Sequence, residues 1–104
     1  MTMVSVIIPT FNERKNMRPL IKRIDMSIKD MEHEIIVVDD NSQDGTAQAV
    51  RELSKKYPVR VVVRKNEKGL ATAVLEGFRQ AKGDVYAVID ADLQHPPEAL
   101  IPLI

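Results

Sequence analysis

The chain contains no cysteine, which excludes disulfides, thiolate metal sites and cysteine nucleophiles together. It has no surplus of either charge: fifteen basic side chains oppose fifteen acidic ones, leaving no global field to draw in nucleic acid or an anionic membrane surface. An anionic ligand must therefore be met locally. Long hydrophobic runs are missing as well. Val4 to Pro9 is far too short for a signal-peptide core, and no later run approaches the ~20 apolar residues of a membrane span. These absences lead to the expectation of a soluble, cytoplasmic chain. Two histidines, His33 and His95, are too few and too far apart for a histidine-rich zinc site. Neither G-x-G-x-x-G after the first apolar run nor G-x-x-x-x-G-K-[ST] anywhere is present, so the glycine-rich phosphate cradles of dinucleotide and P-loop proteins are excluded. A nucleotide here must hold its phosphates through metal.

What is present is a regular alternation of apolar runs and amphipathic stretches in 104 residues, 44% of them apolar, enough for one small domain. Val4 to Ile8 reads as a buried strand stopped by Pro9. From Asn16, taken as an N-cap, Met17, Leu20, Ile21, Ile24, Ile28 and Met31 fall at helical spacing, with Pro19 placed in the first turn. Ile35 to Val38 is a second strand, followed by the polar turn Asp39 to Thr46, and Thr46 is positioned to cap a helix carrying Ala49, Val50 and Leu53. Val59 to Val63 is a third strand. Leu70, Val74, Phe78 and Ala81 then mark one helix face, Gly77 allows close packing on a sheet, and Gly83 closes the helix. Val85 to Ile89 is a fourth strand, and a last helix starts at Pro97. Strands alternating with helices require parallel pairing and right-handed crossovers. The expected fold is α/β: a Rossmann-like three-layer α/β/α domain with a mainly parallel sheet in the order 3-2-1-4, ligands binding beyond the carboxyl ends of the strands.

Three polar loops converge there: Pro9 to Glu13, Asp39 to Asp44, and Asp90 to Gln94. In the last, Asp90 and Asp92 are two residues apart as an extended run ends, so both carboxylates face one side, and Gln94 adds a third oxygen at the same parity. An all-oxygen set suits a hard cation, Mg²⁺ or Mn²⁺, which completes its shell with water and phosphate oxygens. Converging carboxylates that would otherwise repel add an argument for the metal. Glu13 or Asp40 is suited to ribose hydroxyls or the N–H edge of a base, while Asp39 supports its loop. Phe11 is either a wall under a base or a staple on the first helix. His95 is either a diphosphate contact or a turn residue before Pro96-Pro97, and Lys65 and Lys68 are best read as solvated charge.

Taken in order, VSVIIPTFNE, EIIVVDDNSQDGT, KGLATAVLEGFRQAKGDV and DADLQHPPE resemble the nucleotide-sugar-binding half of family 2 glycosyltransferases of the GT-A fold, over essentially the whole chain. DADLQHPPE looks most like the polyprenyl-phosphate glycosyltransferases, above all the dolichol-phosphate mannose synthases. The resemblance implies that Pro9, Phe11, Glu13, Val38 and Asp40 line a nucleoside pocket with Ala91 beside the nucleotide. It also implies that Asp90, Asp92 and Gln94 bind the divalent metal, Asp92 being the residue assigned to catalysis. Many relatives carry Tyr where this chain has Phe11, so a hydroxyl contact is lost there while stacking survives. The implied reaction moves a hexose, mannose from GDP-mannose, onto a polyprenyl phosphate such as dolichol phosphate, with inversion. A family member using a UDP-sugar is the alternative donor reading.

Members of the family continue with an acceptor-binding half, so residues 1–104 are expected to bind donor and metal without turnover, and to meet a membrane's cytoplasmic face only through regions not in this chain. Two other classes stand against this reading. A receiver-type signalling domain would need a phosphoacceptor Asp after its middle strand, where Arg64-Lys65 stands. A non-catalytic nucleotide-binding module is opposed by the intact Asp90, Asp92 and Gln94.

Overall fold

The computed structural model describes residues 2–66 and 69–91. The helix expected from Pro97, together with Asp92, Gln94, His95 and Lys68, lies outside the described residues.

Strand β1 (Met3–Thr10) is central, and its partners β2 (Glu32–Asp39) and β4 (Val85–Val88) run parallel to it, while β3 (Val59–Val63) pairs with β2. The order is β3-β2-β1-β4, as the alternation of elements predicts. A receiver-type domain has the order 2-1-3, and the observed sheet overturns that reading. Helices α1 (Arg14–Ser27) and α2 (Thr46–Leu53) cover one face, where Met17, Leu20, Ile21 and Ile24 pack with Val6, Ile8, Ile35, Val37 and Val50. Helix α3 (Leu70–Gln80) covers the other, with Ala73 against Ile7, Ile36 and Val38. Strand residues alternate between these two cores, so side-chain parity decides which layer each loop residue meets. The strand order reverses beside β1, where the β3–α3–β4 crossover passes over the sheet.

Several boundaries differ from the sequence expectation for physical reasons. Helix α1 begins at Arg14, two residues before Asn16, and its N-cap Glu13 makes no side-chain cap. Its first N–H groups are satisfied from elsewhere: Asp44 Oδ2 accepts from Arg14 N at 3.1 Å and Thr46 Oγ1 from Glu13 N at 3.1 Å. Pro19 consequently sits inside α1 rather than in its first turn, and it is tolerated on the exposed face. Met31 falls beyond the helix end and is exposed. The α2 cap is Gly45, at φ 90°, while Thr46 is the first helical residue and fully buried.

On α3 the buried stripe is Ala73 and Gly77 flanked by Phe78 and Ala81, so Leu70, expected on the core face, is instead 71% exposed. Gly77 has the packing role expected of it: a Cβ there would lie 2.5 Å from Ile7 Cγ2. Gly83 does not close the helix, whose C-cap is Ala81; it lies against β1, where a Cβ would meet Met3 O at 2.6 Å.

Candidate functional site

At the carboxyl ends of β1 and β2 a cavity of about 410 Å³ opens, lined by Pro9, Thr10, Phe11, Asp40, Gly69, Leu70 and Ala73. Its size falls in the ~300–1,000 Å³ range of small-molecule sites. Phe11, 52% exposed, and Leu70 supply apolar walls at the mouth, and Asp40 supplies the charge. Parity explains the composition. Ile7 and Val38 belong to the α3-side core, so Pro9, Phe11 and Asp40, two or four residues further along their strands, emerge on that same side.

The two loops beneath the site brace each other. Asn12 (φ 52°) and Asn41 (φ 58°) take the left-handed conformation just past the ends of β1 and β2, a geometry asparagine adopts more readily than most residues. Asn12 N donates to Ser42 Oγ at 2.7 Å, and Asn12 Oδ1 accepts from Gln43 N at 3.1 Å. Asp39 supports its loop as expected: its carboxylate accepts from Thr10 Oγ1 (3.0 Å), Ser42 Oγ (2.5 Å) and Ser42 N (3.0 Å). Asp44 is slightly desolvated, which raises its pKa, but hydrogen bonds from the Thr46 hydroxyl and from the Arg14 and Thr46 N–H groups outweigh this and hold it below its ordinary value.

Asp40 is fixed by a residue that sequence reasoning passed over. Arg64 Nε donates to Asp40 Oδ1 at 2.7 Å and Arg64 Nη2 to Oδ2 at 2.9 Å, a two-pronged pair in which the side chains are 7% and 12% exposed. The same guanidinium donates to Gly69 O (3.0 Å) and Thr72 Oγ1 (2.8 Å), and Gly69 N donates to Asp40 Oδ2 at 3.1 Å. Gly69, the α3 N-cap, holds φ 127°, where a side chain is strained. Arg64 thus ties β3, β2 and the start of α3 into one wall. The strand register makes the pair: Val38↔Val62 carries Asp40 and Arg64 onto the same face two residues later, which no local feature of the sequence announces.

The remaining expected residues are placed as follows. Glu13 does not line the cavity, and its Oε2 accepts from Asn16 Nδ2 at 2.6 Å. Val38 is fully buried behind Ala73 in the α3-side core. Ala91 is buried in the core of the opposite face with Ile89, and the exposed Asp90 between them takes the cavity-side parity of Tyr86 and Val88. Asp92 and Gln94 lie outside the described residues, and among the described residues no cluster of three metal-binding side chains forms. The carboxylates of the first two loops also do not repel one another as anticipated, because arginine, hydroxyls, amides and backbone N–H groups already occupy them. Within this chain's own geometry, the case for a metal therefore rests on the oxygen donor set at Asp90, Asp92 and Gln94.

An open parallel sheet with a ligand-sized cavity at the carboxyl ends of its strands, beside the point where the strand order reverses, defines a Rossmann-like small-molecule-binding domain. The description "Glycosyl transferase family 2" matches residues 5–104, and the chain belongs to that family. It is 56% identical over 101 residues to a dolichol-phosphate mannosyltransferase of Pyrococcus furiosus, covering 97% of this chain and 29% of that protein. The mannosyltransferase PcManGT from Pyrobaculum calidifontis, solved in complex with GDP-Man and Mn²⁺, aligns with a TM-score of 0.67 and 34% identity over 86% of this chain and 27% of that one. S. aureus TarS 1-349 in complex with UDP-GlcNAc aligns with a TM-score of 0.75 and 31% identity over 88% of this chain and 27% of that one. The sheet order and these GT-A neighbours establish the fold class expected from the sequence. The chain spans about three tenths of the length of these relatives.

Proposed function

We propose that this chain is the donor-binding part of a metal-dependent, inverting glycosyltransferase that moves mannose from GDP-mannose to a polyprenyl phosphate. The observation that carries the reading is the cavity whose apolar mouth, Phe11 and Leu70, surrounds the fixed carboxylate of Asp40, in a chain 56% identical to a dolichol-phosphate mannosyltransferase. A planar base stacks on Phe11, and an oriented carboxylate accepts hydrogen bonds from a base edge or ribose hydroxyls. In this reading Pro9 and Val38 shape the pocket from the side and from beneath, whereas Glu13, engaged by Asn16, and Ala91, buried on the opposite face, stand outside its lining.

Asp90, Asp92 and Gln94 are the residues assigned to hold Mg²⁺ or Mn²⁺. Their all-oxygen chemistry fits such an ion, and Asp90 emerges exposed at the cavity-side parity of β4. The bound ion supplies Lewis-acid neutralisation of the departing diphosphate, worth several kcal/mol. A phosphate acceptor is already ionised at neutral pH, so the chain needs no general base, which agrees with the internal hydrogen bonds of Asp39, Asp40, Asp44 and Glu13.

A UDP-sugar donor is the second reading, favoured by the likeness to the UDP-GlcNAc complex of TarS. Calorimetric titration with GDP, GDP-mannose, UDP and UDP-glucose, each with and without Mn²⁺, separates the two. Metal-dependent binding that prefers the guanosine pair and disappears in Asp92→Ala supports mannosyl transfer. A preference for the uridine pair selects the alternative, and absence of any binding by the folded chain rejects both.

A further inference from the structure

The balanced net charge hides a segregation that the fold exposes. Residues 14–27 and 46–57, the helical layer on the face away from the donor cavity, carry eight basic side chains against two acidic ones. Between α1 and α2 lies a groove of about 310 Å³, whose charged and aromatic lining is Arg14, Arg18, Glu52, Lys56 and Tyr57. Its volume is at the lower end of the ~300–1,000 Å³ range for ligand sites, fit for a phosphorylated headgroup or small metabolite rather than a whole nucleotide sugar.

The cations of this groove differ from the arginines that ion pairs hold elsewhere on the sheet and on α3. Arg60, Arg64 and Arg79 each pair with a carboxylate. Among the described residues, the side chains of Arg14, Arg18 and Lys56 have no ion-pair or hydrogen-bond partner, and Lys56 Nζ rests 5.6 Å from the centroid of the Tyr57 ring. Arg14 is exposed and lies over Gly45, its Cδ and Nε 3.4 and 3.6 Å from where a Cβ of Gly45 would be. Like charges gathered on one concave surface raise the local potential and are relieved by an anion. Guanidinium groups match phosphate oxygens in a two-pronged geometry, and an ammonium adds a point charge. Glu52 is the single opposing group in the lining.

The geometry points to a second, phosphate-binding site in the α1–α2 groove, separate from the donor cavity and independent of the divalent metal. Its ligand class is a small phosphate-bearing anion, whether free in solution or the headgroup of an anionic phospholipid. The test is a ¹⁵N NMR titration of the chain with pyrophosphate in the absence of divalent metal, paired with sedimentation against phosphatidylcholine vesicles with and without phosphatidylglycerol. Amide shifts are expected at Arg18, Leu53 and Tyr57, with affinity at least tenfold weaker in the R18A/K56A double variant and unchanged in Arg79→Ala on the opposite layer. Glu52→Gln should tighten binding, a gain that a misfolded variant cannot mimic. Binding to anionic vesicles alone, lost in R18A/K56A, assigns the phosphate to a lipid. Shifts confined to Phe11, Gly69 and Leu70 overturn the proposal, as do binding indifferent to Arg18 and Lys56 and binding to neither probe.

Discussion

Arg64 and Asp40 form a pair that is buried on both sides, and removing one partner strands the other's charge. Arg64→Ala is expected to cost about 3–5 kcal/mol of stability, since an uncompensated buried charge is the expensive outcome. Replacing both, as Asp40→Asn with Arg64→Met, should recover most of that loss in urea unfolding while nucleotide binding stays impaired. Recovery of both properties would show that the pair serves the fold alone. Glu34, at the opposite end of the sheet, gives a pH prediction. Burial raises its pKa, but hydrogen bonds from the Ser5 hydroxyl, Lys82 N–H and Arg60 guanidinium more than offset this and hold it below its ordinary 4.5. A carboxyl whose pKa falls on folding stabilises the native state above its unfolded pKa, and the stabilisation is lost as pH drops through the folded value. Glu34→Gln should therefore lower stability near neutrality and flatten the loss of stability below about pH 4.5. An unchanged acid limb in the variant would contradict the assignment.

At the scale of elements, α3 is held against the sheet by the absence of a side chain at Gly77, over Ile7 of β1, and by the stacking of Phe78 on Tyr86 of β4, 5.2 Å between ring centroids. Gly77→Ala sets helix propensity, a gain of about 1 kcal/mol, against overpacking that costs about 1–3 kcal/mol. With Ile7 Cγ2 and Cγ1 both under 3 Å from the new methyl, overpacking wins, and the expected result is a net loss read as a lower urea midpoint. Because α3 begins with Leu70 and Ala73 at the cavity, the same variant should weaken donor binding; a variant that keeps full affinity would uncouple helix seating from the site. Helix α1 makes a related point. Its N-terminus is completed by Asp44 and Thr46 from the β2–α2 loop, so a rule that seeks the cap within the local sequence placed the start at Asn16.

For the molecule as a whole, the proposed function requires that donor and metal stabilise only the folded chain. At a ligand concentration one hundred times Kd the gain is about 2.7 kcal/mol, visible as a rise in melting temperature. Asp92→Ala should remove the Mn²⁺-dependent part of that rise, while Arg18→Ala, on the other face of the sheet, should leave it intact. A loss of the rise in both variants would mean that the two faces are not independent. The two-faced layout is itself a product of topology: α1 and α2 stack on one side and α3 on the other because the order 3-2-1-4 reverses the crossover direction beside β1.

The element types, their order and the inward face of α1 follow from the sequence alone, because periods of two and 3.6 are properties of neighbouring residues. So does the close approach at Gly77 and the supporting role of Asp39, one set by an absent side chain and the other by a short carboxylate among turn residues. The partner of Asp40 is different in kind. Arg64 is 24 residues away, and the two meet only once β2 and β3 settle into the register Val38↔Val62. The same holds for the borrowed cap of α1, for Leu70 turning to the cavity rather than the core, and for the gathering of basic side chains on one face of a chain with no net charge. Local periodicity encodes which side of an element is apolar, whereas the polar contacts across elements depend on register and crossover, which are decided by the packing of the whole sheet.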